Sequence, residues 1–216
     1  MIQAILFDSD GVLVDTERLY FDATRSAFES AGVKLSQSQW ARWYLGESKP
    51  SLEIAQMLGI PSFDMEAILT KRNELFWSQI DQGTPIFPDV RETLSHLAQH
   101  FRLAIVTGAT RRHFERVHSS TGLNDLFDVV VTKDDYEEAK PSPQAYHTAL
   151  QKLSLKAGEC LAVEDSPRGA TSSVSAGVTC YIIPTPLTDI SLCPPGCTVL
   201  NNLKQLVELV PIWGAD

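Results

Sequence analysis

Apolar residues along the chain gather into short runs that stop at charged or glycine-containing turns. Residues 2–7, 103–106, 129–131, 161–163 and 178–183 each have the length and continuity of a strand buried on both faces. Between and after them, residues 89–99, 110–119, 143–154, 167–176 and 202–210 carry helical patterns. Ser142-Pro143 reads as a helix start, with Ser as N-cap and Pro at the first helical position. Strands alternating with helices of this length predict βαβ units. The fold expected is α/β, a Rossmann-like doubly wound parallel sheet with helices on both faces.

Residues 16–84 break the rhythm. They show helical patterns over 16–31, 36–44, 50–58 and 63–80 and nothing that reads as a strand. The expected organisation is therefore a core made of residues 1–15 and 85–216, with residues 16–84 inserted as an α-helical unit.

Composition narrows the function classes. The chain has 216 residues, 44% of them hydrophobic, enough for a sizeable core without disulfide or metal staples. A net charge of −9 argues against nucleic-acid or anionic-membrane partners, which need a basic surface. It leaves room for an anionic small molecule held in a locally positive site. No apolar run approaches the roughly 20 residues needed to cross a bilayer. Asp8 and Asp10 interrupt the only candidate leader, so a cytoplasmic protein is expected. The four cysteines fit that compartment as free thiols, and Cys193 and Cys197 lack the second Cys or His pair of a zinc site. A monomer is the simplest expectation.

In a doubly wound sheet, ligands bind at the carboxyl ends of the strands, near the switch in strand order. The first strand ends in Asp8-Ser9-Asp10-Gly11-Val12, the second in Thr107-Gly108 and the fourth in Glu164-Asp165-Ser166, while Lys140 precedes a helix. Phosphoryl transfer requires such a set. A carboxylate attacking an anionic phosphoryl group needs the like-charge repulsion neutralised. A divalent cation held by carboxylates does that, and Mg²⁺ favours oxygen ligands. An ammonium, a hydroxyl and backbone N–H groups can hold the other phosphoryl oxygens. A second carboxyl group serves as general acid and base. Taken singly, each motif has a plainer reading: Asp10-Gly11 as a turn, Lys140 as a solvated side chain, Glu164-Asp165-Ser166 as a helix cap. It is their joint occurrence, in this order, that carries the functional reading.

These motifs resemble, in order, the four of the haloacid dehalogenase superfamily, and the resemblance spans the whole chain. More narrowly, Phe7 to Thr16 and Glu164-Asp165-Ser166-Pro167-Arg168-Gly169-Ala170 resemble the subgroup of phosphoglycolate phosphatases and β-phosphoglucomutases, which carry an α-helical cap. The resemblance implies Asp8 as nucleophile and Asp10 as general acid/base. It implies Mg²⁺ bound by Asp8, the backbone carbonyl of Asp10 and Asp165, with Glu164 in or beside that set. Thr107, Gly108 and Lys140 would hold the phosphoryl group. True dehalogenases of the family lack an aspartate at the position of Asp10, so dehalogenation is disfavoured.

In the cap, Gly46-Glu47-Ser48-Lys49 resembles the subgroup's specificity loop, and Arg72 occupies a similar place on the last cap helix. Together Lys49 and Arg72 imply a substrate with a second negative charge; the plainer reading is a solvated, mixed-charge face. Thr16 and Glu17 fall at the expected hinge. Trp40, Trp43, Tyr44 and Trp77 read as core of the small cap. Arg111-Arg112-His113 has no assigned role. The function expected is a Mg²⁺-dependent phosphatase acting on a small phosphate ester, a sugar phosphate or phosphorylated acid. A β-phosphoglucomutase-like mutase is the alternative, although Thr16-Glu17-Arg18-Leu19-Tyr20 lacks the histidine that resemblance would place there. A binding module on the same fold is the third reading.

Overall fold

The computed structural model describes residues 1–61 and 64–210. Six strands form one sheet: β1 (Ala4–Phe7), β2 (Arg102–Val106), β3 (Val129–Val131), β4 (Cys160–Glu164), β5 (Thr179–Ile182) and β6 (Thr198–Val199). Their order is β3-β2-β1-β4-β5-β6, and every pairing is parallel. The chain runs outward from β1 to β3, then returns to the other side of β1 at β4. The switch point thus lies between β1 and β4.

Alternation along the strands sorts side chains by size. Ile5, Phe7, Leu103, Ile105, Leu161 and Val163 face one core. Ala4, Leu6, Ala104, Val106, Cys160 and Ala162 face the other, where α7 (Gln144–Leu153) lays down Ala145, Tyr146 and Ala149. Small residues on that face let the helix approach closely, and the larger residues opposite fill the space under α5 (Val90–Leu97). Phe7 stands beside both Ile105 and Val163, so the residues just beyond these strands emerge side by side.

Between β1 and β2 the described residues form helices: α1 (Thr16–Glu29), α2 (Gln37–Trp40), a π-helical turn (Ala41–Gly46), α3 (Ser51–Met57), α4 (Met65–Ile80) and α5. The expected helix over 63–80 starts at a residue outside the described ones and is seen as α4. The expected continuous helix over 36–44 is broken. Ser36 starts it with a reciprocal capping box to Gln39, and from Ala41 the chain widens into the π-turn. Trp40 is fully buried among Phe21, Phe28, Leu45 and Ile54. A second cluster joins Leu19, Phe76 and Ile80 of this segment to Val14 and to Val117 of α6 (Arg111–His118).

Three further details depart from the sequence pattern. The strand β6 went unpredicted because its two residues are exposed and show no apolar run; pairing with β5 creates it. The helix expected from Pro143 begins at Gln144, with Pro143 at the cap position and Ser142 Oγ accepting from the Gln144 N–H at 3.4 Å. The last helix is the short α9 (Gln205–Leu209). None of the described helices is long and apolar enough to cross a membrane.

Candidate active site

Asp8 comes directly after the last residue of β1, and its N–H donates to the Val163 carbonyl at 2.9 Å, extending the ladder by one residue. Its carboxylate, 7% exposed, therefore points out of the strand ends beside Glu164 and Asp165 at the end of β4. Lys140 reaches in from the loop before α7. Its Nζ donates to Asp8 Oδ1 at 2.7 Å, to Glu164 Oε1 at 2.6 Å and to the Val106 carbonyl at 2.8 Å. The Tyr146 hydroxyl of α7 donates to the same Glu164 oxygen at 2.6 Å. The lysine's three donors are thus all used on fixed acceptors, which orients the ammonium without rotational freedom.

Burial pushes Asp8 up to about 7, helped by Glu164 and Asp10 and opposed by Lys140. Burial also drives Asp165 well above the usual carboxylate range, with Asp8 and Glu164 adding to it. For Lys140 burial works against the charge, but Asp8 and Glu164 outweigh it and hold the ammonium above its ordinary value. One cation among three acids leaves an excess of negative charge that favours a further cation.

The donor set fits a hard divalent ion. Asp8, Glu164 and Asp165 each offer a carboxylate oxygen, and these atoms all lie within 4.8 Å of one another. Glu164 Oε2 and Asp165 Oδ2 are buried with no hydrogen-bond partner. Two orphaned anionic oxygens in one cluster carry a large desolvation cost unless something positive meets them. Oxygen-only ligation suits Mg²⁺ better than a thiophilic metal.

Two glycines shape this cradle. Gly11 has φ +89°, and a Cβ there would stand 2.0 Å from Asp165 Oδ2. A Cβ on Gly169, in the first turn of α8 (Pro167–Ser175), would stand 1.8 Å from Glu164 Oε2. Glu164 cannot swing away, because Lys140 and Tyr146 hold its other oxygen. Gly169→Ala is therefore expected to cost about 1–3 kcal/mol by overpacking and to weaken stabilisation by Mg²⁺. Thermal melts with and without Mg²⁺ check both effects. A variant matching the parent in both would show that the helix start yields freely.

Asp10 is arranged differently. Its Oδ1 accepts from the Thr16 hydroxyl and its Oδ2 from the Thr107 hydroxyl at 3.4 Å. Its carboxylate is outside the three-acid cluster. Thr107 Oγ1 accepts from the Ala109 N–H at 3.0 Å, and the Tyr136 hydroxyl donates to the Thr107 carbonyl at 3.0 Å. Between Asp8 and Asp10, Ser9 is tied down by a buried contact between its Oγ and His118 Nε2 at 2.8 Å, and His118 Nδ1 meets Thr121 Oγ1 at 3.2 Å.

Burial holds His118 down to about 4, with Asp10 pulling weakly upward. Because the folded pKa lies below the ordinary value of about 6.5, this histidine supports folding fully above pH 6.5. That support is lost as pH falls toward 4. The difference amounts to on the order of 3 kcal/mol. Urea denaturation at pH 7 and pH 5 is expected to show the loss in the parent and a smaller one in His118→Gln. Parallel pH profiles for the two proteins would remove the assignment.

A cavity of 390 Å³ opens over these groups. Asp8, Asp10, Thr107, Gly108, Lys140 and Asp165 line it from the core. Across from them stand residues of the helical segment, among them Glu17, Tyr20, Tyr44, Arg72, Asn73 and Trp77. Of the two expected cap cations, Arg72 reaches the cavity; it is 9% exposed, bonded to Ser51 Oγ and Asn73 Oδ1, and lies over the Tyr20 ring. Lys49 does not line it. Its Nζ pairs with Glu53 at 2.8 Å and lies 3.8 Å from Glu47, partly open to solvent.

Several cavity residues carried no assignment from the sequence. Tyr44 and Trp77, expected in the cap core, pack against its apolar clusters and also line the cavity; Trp40 alone of the four is fully buried. On the π-turn, Tyr44 stacks on Trp40 with ring centroids 4.0 Å apart, and the Arg168 guanidinium lies over the tyrosine ring. His113 lines the cavity, packed on Phe76 and Trp77. Arg168 belongs to the Glu164–Ala170 motif, yet nothing local marked it as facing a cavity. Tyr146 reads as an ordinary core residue of an amphipathic helix, and the demand of its buried hydroxyl for a partner was the one usable signal.

A doubly wound α/β sheet with acids, a lysine and a hydroxyl converging at its switch point defines the class: an enzyme working at the carboxyl ends of its strands. The chain belongs to the haloacid dehalogenase-like hydrolases, whose family model matches residues 5–183. It is similar to the phosphorylated carbohydrates phosphatase of Thermotoga maritima, 30% identical over 82% of each chain. It also resembles the phosphoglycolate phosphatase of Photorhabdus laumondii, 27% identical over 97% of this chain and 92% of that one. Among solved structures, CbbY from Rhodobacter sphaeroides in complex with xylulose-(1,5)bisphosphate superposes with a TM-score of 0.77 at 26% identity, covering 95% of this chain and 96% of the other.

Proposed function

We propose that the protein is a Mg²⁺-dependent phosphatase that hydrolyses a small phosphorylated metabolite through an aspartyl phosphate on Asp8. One observation carries the reading: a buried carboxylate at the cavity floor, bonded to a fixed lysine, beside two buried carboxyl oxygens that lack any partner. The relatives named as phosphatases of carbohydrate phosphates and of phosphoglycolate support the substrate class.

Asp8 Oδ1 is occupied by Lys140, so the other oxygen is the one free to attack phosphorus. As that P–O bond forms, the bond to the leaving alkoxide breaks, and Asp10 gives the alkoxide its proton. Asp10 then takes a proton from water, which attacks phosphorus, frees inorganic phosphate and restores Asp8. Thr16 and Thr107 orient the Asp10 carboxyl for both transfers. Thr107 and the backbone at Gly108 hold the phosphoryl oxygens, and Lys140, its three donors committed, neutralises their charge by proximity. Mg²⁺, when bound by Asp8, Asp165, the Asp10 carbonyl and Glu164, supplies the charge that lets two anions approach. Helices from residues 16–84 act as the cap, with Arg72 suited to a second anionic group.

A mutase must shield the phosphoenzyme from water. The absence of a histidine near Tyr20 favours hydrolysis over that alternative, and the complete acid set disfavours a silent binding module, since clustered carboxylates are costly to keep.

Phosphate release from a panel of phosphorylated metabolites, with Mg²⁺ or with EDTA, tests the reading. Metal-dependent release from a few esters is expected, and release from none would overturn it. Asp10→Asn is expected to slow formation or loss of the phosphoenzyme by about 10²–10⁴-fold. Rapid-quench kinetics that match the parent in both steps would remove the acid/base role.

A further inference from the structure

The core helix α6 grips the end of α4. Arg116, in the last turn of α6, pairs with Asp81, the residue that closes α4. Its Nη2 donates to the two carboxylate oxygens at 2.9 and 2.8 Å, and its Nε donates to Oδ1 at 3.2 Å. The same guanidinium lies 4.2 Å from the centre of the Trp77 ring. His113, about one turn earlier on α6, meets that indole at 4.8 Å and the Phe76 ring at 5.5 Å, centroid to centroid. Val117 packs with Phe76 and Ile80 in the apolar cluster beside them. The chain leaving α4 is tied to the same part of α6. Thr84 Oγ1 donates to the Val117 carbonyl at 2.6 Å, and the Thr84 N–H donates to Ser120 Oγ at 3.2 Å.

Two features set this pair apart from an incidental surface contact. Asp81 stands at the wrong end of its helix, because a helix C-terminus carries partial negative charge and disfavours a carboxylate. The last turn of α4 has no basic residue to offset it, so the cation that matches Asp81 is Arg116. The second feature is what the clamp holds. Arg72, Asn73, Phe76 and Trp77 are spaced three to five residues apart on one face of α4, and that face is a wall of the cavity. Neither Arg116 nor Asp81 is among the described residues lining the cavity. Both are about half open to solvent, where an ion pair adds little to stability. The clamp acts instead through geometry.

We infer that Arg116 and Asp81 are positioning residues, a two-point clamp from α6 that sets where Trp77, and with it the α4 wall of the cavity, stands. The two points constrain different motions. The forked ion pair pins the end of α4, and the guanidinium over Trp77 resists rotation of the helix about its axis. Without the clamp, a smaller fraction of molecules holds the wall in its binding-competent place, and apparent affinity falls by that fraction. Asp8, Glu164 and Lys140 belong to a separate set of bonds and keep their places. The kinetic consequence rests on the phosphatase reading; the positioning of Trp77 does not.

The test uses p-nitrophenyl phosphate in Mg²⁺ on the parent, Arg116→Ala, Asp81→Asn and the double variant. Acrylamide quenching of Trp77, taken as the difference between each protein and its Trp77→Phe form, reads the indole's position without turnover. Arg116→Ala loses both ion pair and ring contact and is expected to raise KM about fivefold. Asp81→Asn keeps the ring contact and is expected to raise KM about twofold. The double variant should match Arg116→Ala, because the clamp is already gone. In all of them kcat is expected to stay within about twofold of the parent, as for loss of binding shared by ground and transition states. Trp77 is expected to be more open to acrylamide in Asp81→Asn than in the parent, although Arg116 is still present. KM at the parent value in Arg116→Ala, fully additive effects in the double variant, or a lower melting temperature with KM unmoved would each overturn the inference. If no protein, the parent included, hydrolyses the ester, the phosphatase reading loses its support and the quenching decides alone. Greater access to Trp77 in Asp81→Asn then sustains the clamp, and access equal to the parent's overturns it.

Discussion

Asp8→Asn is expected to lose turnover by on the order of 10⁴-fold or more while remaining folded, because no other oxygen stands where this one does. The variant should melt at or above the parent temperature. Asp8 is one of three crowded, buried carboxylates, and burial already holds it up to about 7. An amide removes one anion, and Lys140 keeps its bonds to Glu164 and to the Val106 carbonyl. Steady-state kinetics and a thermal melt on the same preparation check both halves. Substantial turnover would remove Asp8 as nucleophile. A large drop in melting temperature would mean that the Lys140–Asp8 pair is a structural tie in its own right.

Removal of divalent cation carries the second large effect. With EDTA, turnover is expected to fall by about a thousandfold, since the cation contributes several kcal/mol to meeting the developing charge. Adding Mg²⁺ at about 100 times its Kd should stabilise the fold by about 2.7 kcal/mol. For a chain of this length that is a rise of roughly 5–10 °C in melting temperature. The two unpartnered oxygens, Glu164 Oε2 and Asp165 Oδ2, are where that stabilisation originates. Asp165→Asn should abolish the thermal response as well as the activity. A melt indifferent to Mg²⁺ in the parent would mean that these acids serve another purpose.

The strand ends and the residues just beyond them were readable because their pattern is local. A strand buried on both faces must be an unbroken apolar run, and the charged residues that stop such a run emerge where the sheet ends. That pattern placed Asp8, Thr107 and the Glu164-Asp165 pair, and Lys140 could be set before its helix. What Lys140 does was not readable locally. Its Nζ bridges residues 132 and 24 positions away in sequence, so only the folded sheet brings them together. Lys49 and Arg72 show the same limit from the other side. Both are basic residues in helical surroundings, and tertiary packing buried one against the cavity and left the other paired with Glu53.

The amino-acid sequence alone thus determined the α/β class, the helical stretch between the first two strands, and the identity of the acids, hydroxyl and lysine gathered at the strand ends. Tertiary structure decided the rest. The arrival of Glu17, Tyr44 and Arg168 at one cavity and the close clearance between Gly11 and Asp165 depend on groups far apart in the chain. The physical reason is one of range. Apolar periodicity and capping act over a few residues, whereas desolvation and the meeting of buried charges depend on everything that surrounds a side chain once the chain is packed.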